Sequence, residues 1–441
     1  MNKTKLFFGA CVASVLSTMN ATAQLSIGTE VRPRIEVRSG YKDLLKPGTE
    51  PYGIGTQRTR LNIGFKSEKI KTYVSFQNIA VWGEQVRSKR TATSSDSSLT
   101  SMFEGWAELS LCKYSALRLG RQTIAIEDER LLSGGNWGQA GQFLDGLLYH
   151  FDNDSIAKIR VFASYNNQKD TTVASLMPNN KTSAKFKTFN FVEVKKEVSS
   201  NLNFTLLGLF TGYLKDKTTD KYLIKNTYGG YVTLKNDELA ITGSGFYQNG
   251  QNSAAKRTRA YMASLQVKYT KKPYEVTLGF DLLSGDDMNK TKGKVDADYA
   301  KFDHKFDVLL GTTRPFQGTM ELVNTKTSDA GILNSYLKVK SQMTEKCAVG
   351  FNYFFFRTQN NAGISSNGTY TELNKYLGQE VDALVSYKIS SEANFELGYS
   401  YVFAADALKQ LKKAANAYDN QNWLWVQLTF KPKLFEGALK N

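Results

Sequence analysis

The chain has 441 residues, a formal net charge of +16, 41% hydrophobic and 22% charged residues, and 34 glycines against 7 prolines. This balance excludes wholesale disorder and leaves room for several soluble domains or one large β-barrel. Past the N-terminus no stretch approaches ~18 consecutive apolar residues, so no helix is expected to cross a bilayer, and a membrane-spanning form must be a closed barrel.

The N-terminus reads as a secretory leader. Lys3 and Lys5 form a basic start, Leu6 to Leu16 a short apolar core, and Ala21-Thr22-Ala23 a small-residue cleavage site. The mature chain is expected to begin at Gln24 and to reside in the outer membrane of a Gram-negative bacterium. It stays strongly basic without the leader, which favours an anionic ligand or membrane surface over nucleic acid. Cys112 and Cys347 lie far apart, with neither metal spacing nor a disulfide framework.

The first mature segment alternates strictly. Leu25, Ile27, Val31, Ile35 and Val37 fall on one parity, and Glu30, Arg32, Arg34, Glu36 and Arg38 on the other. An arginine facing lipid at the midplane costs roughly 2–4 kcal/mol, so the charged face must line the lumen of a barrel. The pattern returns in 58–66, where Leu61, Ile63 and Phe65 alternate with Arg58, Arg60 and Asn62. It returns again in 157–165, 261–269, 274–282, 381–389 and 393–403. Residues 143–151 and 187–198 alternate less cleanly.

Connection lengths alternate as well. Short polar turns near 66–69, 112–115, 152–155, 198–201, 235–237, 271–273, 343–346 and 390–392 separate longer loops near 41–55, 83–101, 122–142, 167–186, 214–225, 249–257, 284–331, 358–376 and 405–421. Short periplasmic turns and long external loops make a transmembrane antiparallel β-barrel of about 18 strands. The all-β barrel is expected over 24–430, after a leader over 1–23 and before a tail over 431–441. The last strand, Asn422 to Phe430, resembles the signal read by periplasmic barrel-assembly machinery. A short helix is expected within 405–417. Tyr73, Phe76, Trp82, Tyr213, Tyr269 and Trp423 fall near strand ends, as interface girdles would.

Chemistry concentrates in 117–151, a charged, glycine-rich loop between two strands that is expected to fold at the external mouth. Arg121 and Arg130 there, with Arg32, Arg34, Arg58, Arg60 and Arg160 from strands, would line a pore. Guanidinium groups are permanently charged and grip carboxylates in a fork. Glu104, Glu108, Asp128 and Asp145 complete the expected lining, partly by pairing with the arginines. The plain alternative is that these charges neutralise one another and fill the barrel. Catalysis is not expected, because His150 and His304 lack a serine or acid partner at a recognisable spacing. The acidic run from Asp281 to Asp287 lacks an ordered calcium-ligand pattern, and the glycine-rich pieces are not phosphate loops. No cofactor and no metal are expected.

The pieces LRLGRQ, DERLLSG and NWGQAGQFLDG within 117–146, with LGQEVDALVSYKIS near 377–390 and ELGYSYVFAADAL near 396–408, resemble the alginate-export outer-membrane porins. The resemblance implies a monomeric eighteen-stranded barrel in outer-membrane lipid, with an arginine-rich pore for an anionic uronate polymer or oligomer. Arg121 matches the family's Gly-Arg-Gln arginine, Arg130 its loop arginine, and Arg58 or Arg60 an inward arginine of the second strand. Gln142 stands where the family has arginine before Phe-Asp-Gly, with Leu144 at the phenylalanine position. This pore is therefore less cationic than the family's, and a small-anion porin is the alternative.

Overall fold

The computed structural model describes residues 23–83, 99–166, 186–215, 222–366 and 369–439. Except for Ala23, the expected leader lies outside them, as do most residues of the expected external loops near 83–101 and 167–186.

Eighteen antiparallel strands close into one barrel. In chain order they are β1 (Ala23–Ser39), β2 (Tyr52–Lys66), β3 (Ile70–Val81), β4 (Leu99–Cys112), β5 (Ser115–Gln122), β6 (Leu144–Asn153), β7 (Ala157–Ala163), β8 (Thr188–Ser199) and β9 (Leu202–Leu214). There follow β10 (Tyr222–Lys235), β11 (Leu239–Gln251), β12 (Arg257–Lys271), β13 (Tyr274–Leu283), β14 (Ile332–Gln342), β15 (Cys347–Arg357), β16 (Tyr376–Lys388), β17 (Ala393–Ala404) and β18 (Asn420–Phe430). Neighbours in sequence pair with one another, and β18 closes on β1 through pairs such as Val37↔Leu424. Closure satisfies every strand edge, which an apolar surrounding demands.

The period-2 pattern is realised as two faces. On β1, Glu30, Arg32, Arg34 and Glu36 are buried while Ile35 and Val37 are exposed. Outward tyrosines such as Tyr52, Tyr114, Tyr274 and Tyr387 sit near strand ends, where amphipathic rings suit a membrane interface. Three of the expected girdle residues do not join them: Tyr73 shares the inward parity of Ser75 and Gln77. Tyr213 and Trp423 are buried inside, Trp423 because it shares the inward parity of Trp425.

The C-terminal tail is a strand, not a loose end. After Lys431-Pro432, β19 (Lys433–Leu439) continues along β1 and pairs with Ala23–Gly28.

Two long loops enter the barrel. The β5–β6 loop, 123–143, was expected at the mouth; instead it lies against the inner faces of β1, β2 and β3. The β13–β14 loop, 284–331, meets it at the parallel bridge Leu132↔Leu310. Ile126, Leu131 and Leu132 of the first loop pack with Phe162, Phe189, Leu209, Phe246 and Met262 into an apolar core against the β6–β12 wall. Phe316 and Met320 of the second loop join Phe354, Phe356, Trp423 and Trp425 in another core. Each fully buried side chain of this size contributes about 1.5–3 kcal/mol. The loops are thus fixed by apolar packing on both sides, and two open cavities adjoin them. The short helix Asp406–Leu411 lies in the expected external loop.

Candidate pore constriction

The arginines of β1 and β2 hold the β5–β6 loop. Arg32 donates to the carbonyls of Asn136 (2.7 Å), Trp137 (3.3 Å) and Gly138 (2.9 Å). Arg34 donates to the Trp137 carbonyl at 2.6 Å and to Gln427 at 2.9 and 2.7 Å. Arg58, with 0% exposure, pairs with Glu30 and donates to Asn136 and Gly138. Arg60 donates to Gln77 at 2.7 Å and lies over the Phe103 ring; Gln77 in turn donates to the Ala140 carbonyl. A helix or strand would use these carbonyls internally. Here an irregular segment buried in the barrel leaves them free, and guanidinium forks satisfy them.

The loop carries Trp137 to the place where two internal cavities meet. The Arg34 and Arg314 guanidinium carbons lie 4.0 and 3.6 Å from the centre of the Trp137 ring. A cavity of 960 Å3 on one side is lined by Arg34, Arg38, Lys42, Asp128 and Glu321 among others. A second, of 370 Å3, reaches Lys340, Ser386 and Glu396 near the short-turn ends. Trp137, Arg314, Thr319, Lys338, Asn352 and Leu384 line both, so they form the constriction between them. Arg314 comes from the β13–β14 loop and Lys338 from β14, where Lys338 donates to the Pro315 carbonyl. Burial pushes the Arg314 pKa down, against the pull of Tyr41 and Glu321. Its Nη1 and the Trp137 Nε1 are buried without a hydrogen-bond partner.

The other expected lining residues scatter. Arg130 joins the two loops: it donates to Asp128 at 2.5 Å and Asp281 at 2.6 Å and lies over Phe316. Burial opposes its charge, but Asp281 and Asp128 outweigh burial and raise its pKa. Arg160 pairs with Glu193 and donates to the Ala125 carbonyl. Glu108 accepts from Lys71, Arg118 and His150 on the β3–β6 wall, away from the constriction. Glu104 accepts from the Thr123 amide at the start of the loop.

Arg121 and Asp145 require correction: they do not face the lumen. Arg121 shares its parity with Leu117 and Leu119, which is 63% exposed, and Asp145 shares its parity with Leu147. The two form a paired fork at 2.8 and 2.9 Å on the outer wall, with Arg121 over Phe143. Arg118, not Arg121, points inward from β5. Arg121→Gln is accordingly expected to leave ion selectivity unchanged in bilayer recordings; a shifted reversal potential would contradict this placement.

Residues 23–422 match the family described as alginate export. The chain belongs to the alginate export family. Its barrel is similar to that of OccAB1 from Acinetobacter baumannii, at 13% identity and a TM-score of 0.61, over 93% of this chain and 97% of that one. It is also similar to OpdK from Pseudomonas aeruginosa, at 10% identity and a TM-score of 0.60 over 93% and 98% of the two chains. OprD from the same organism shares 12% identity with a TM-score of 0.56 over 93% and 94%. Identities this low speak to the fold alone. No curated protein matches by sequence. Family and barrel together make this alginate-export protein an outer-membrane channel.

Proposed function

We propose that the channel passes anionic saccharides, of the uronate type, by passive diffusion past Trp137, Arg314 and Lys338. The observation that carries this reading is the meeting of two internal cavities at a ring holding two cationic side chains and no lining carboxylate. Fixed cations in a narrow, poorly solvated passage raise the local concentration of anions. Indole faces such as Trp137 suit the apolar faces of sugar rings, and the Arg314 guanidinium, 4.0 Å from Glu321, adds positive charge beside the indole. Most other arginines are committed to loop carbonyls and internal acids, so selectivity rests on few charges. The chemistry is that of a conduit, with no catalytic step.

The test is the reversal potential of the reconstituted protein under a potassium chloride gradient, with and without a short oligouronate. Anion preference and block by the oligouronate are expected. Arg314→Gln combined with Lys338→Gln should weaken both. Anion preference without block would support the small-anion alternative, and cation preference would overturn both readings.

A further inference from the structure

We infer that Glu380, Thr319 and Asp382 form a proton-held latch that keeps the Thr319 turn of the β13–β14 loop in the constriction and releases it as pH rises. The inference concerns gating and holds whichever solute the channel carries.

Glu380 and Asp382 are two residues apart on β16, so both point inward, and both are 0% exposed. Thr319 is delivered to them by the loop. Glu380 Oε1 accepts from the Thr319 amide at 2.5 Å, the Met320 amide at 2.9 Å and the Thr319 hydroxyl at 2.9 Å. The same hydroxyl lies 2.5 Å from Asp382 Oδ1 and 2.7 Å from the Ser400 hydroxyl on β17. Three oxygen–oxygen contacts therefore converge on Thr319 Oγ1. Thr319 and Ser400 supply one hydroxyl proton each. The third contact is a hydrogen bond only if a carboxyl supplies the missing proton; without it, two acceptor oxygens would face each other at hydrogen-bond distance.

That proton is held by the Glu380–Asp382 pair. Glu380 Oε1 accepts two backbone amides, and Asp382 Oδ2 accepts from Asn352 Nδ2 at 3.2 Å. The remaining charged groups around the pair are Arg314 on the loop and Lys338 on β14. Tyr41 and Glu321 lie beyond Arg314, and Asp281 and Arg130 beyond Lys338. β15 and β17 present neutral Asn352 and Ser400. Neither cation donates to the pair, so loss of the proton to solvent leaves two buried carboxylates competing for one hydroxyl. Phe316 and Met320 stay packed in the apolar core, so the part that can shift is the turn between them: Gly318, at φ +85°, brings its backbone against Glu380 Oε2, which has no hydrogen-bond partner. Thr319 also lines both cavities at the constriction, so its departure widens the passage.

The experiment records single-channel conductance of the full barrel in planar bilayers between about pH 5 and about pH 9, a range in which buried carboxyls titrate. Wild-type conductance should rise about twofold or more towards alkaline pH as the closed population falls. Asp382→Asn places a permanent N–H donor at Oδ1 or Oδ2, and should hold the low conductance across the range. Thr319→Ser should keep the pH step, and Thr319→Val should give the high conductance throughout. Retarded migration on heating certifies each variant as a folded barrel. A flat wild-type profile, or an unchanged step in Asp382→Asn, would overturn the latch.

Discussion

Replacing Arg58 with alanine should destabilise the barrel by about 3–5 kcal/mol, because Glu30 then remains buried without its partner. Arg58 is fully enclosed between β1, β2 and the β5–β6 loop. Its Nε lies 2.8 Å from Glu30 Oε1, and its Nη2 lies 3.0 Å from Asn136 Oδ1. The other cation within reach of Glu30, Lys431, is 3.6 Å away and more than half exposed, so it cannot replace a fork. The same substitution removes donors from the Asn136 and Gly138 carbonyls, leaving Arg32 as their main support. Both consequences point the same way: a less stable barrel and a wider, noisier pore. Unfolding by urea, followed through tryptophan fluorescence in lipid, reads the first, and single-channel recording reads the second. Arg58→Lys should recover part of the stability, since it keeps the charge but loses the fork. An unchanged unfolding midpoint together with unchanged conductance would refute this account of the loop's anchorage.

The barrel was legible because its cause is local. Two faces in two solvents impose period 2 on each strand, and short and long connections sort to opposite ends. The eighteen-strand count and the inward placement of Arg32, Arg34, Arg58, Arg60 and Arg160 follow from those rules alone. Arg121 shows what happens when parity is set aside. Leu117, Leu119 and Arg121 share one face, so the alternation itself points Arg118 inward and Arg121 outward.

The constriction was much less legible. Arg314 and Thr319 belong to a loop of 284–331 with no period, and their places depend on contacts with β16, β17 and the other loop, far away in sequence. Lys338 was within reach, since Asn334, Tyr336 and Lys338 share the inward parity of β14. The inward turn of 123–143 also had a signal. A segment bearing Ile124, Ile126, Leu131 and Leu132 is too apolar for a solvated mouth and needs a core to bury it. An irregular segment inside a barrel also brings free carbonyls with it, and these, more than open pore, are what most of the inward guanidinium groups bind.

Trp137→Ala should give the largest change in permeation among single substitutions, with conductance rising about twofold, because a bulky side chain leaves the junction of the two cavities. It separates width from anchorage. The Trp137 carbonyl, not its ring, accepts from Arg34 at 2.6 Å, so the loop keeps its backbone bonds when the indole is removed. What is lost is the stacking with Arg34 and Arg314, worth about 0.5–2 kcal/mol for each cation, and the edge contact with Trp425 at 4.7 Å. Freed from the indole, both guanidinium groups remain charged in a wider opening, so anion preference should weaken without reversing. Block by an oligouronate should weaken more than selectivity for chloride, because the ring face that stacks on sugar is gone while the charge remains. Trp137→Phe, which keeps an aromatic face of smaller size, should fall between the two. If Trp137→Ala conducts as the wild type does, the passage lies elsewhere in the barrel, and the meeting of the two cavities at this indole is not where solute crosses.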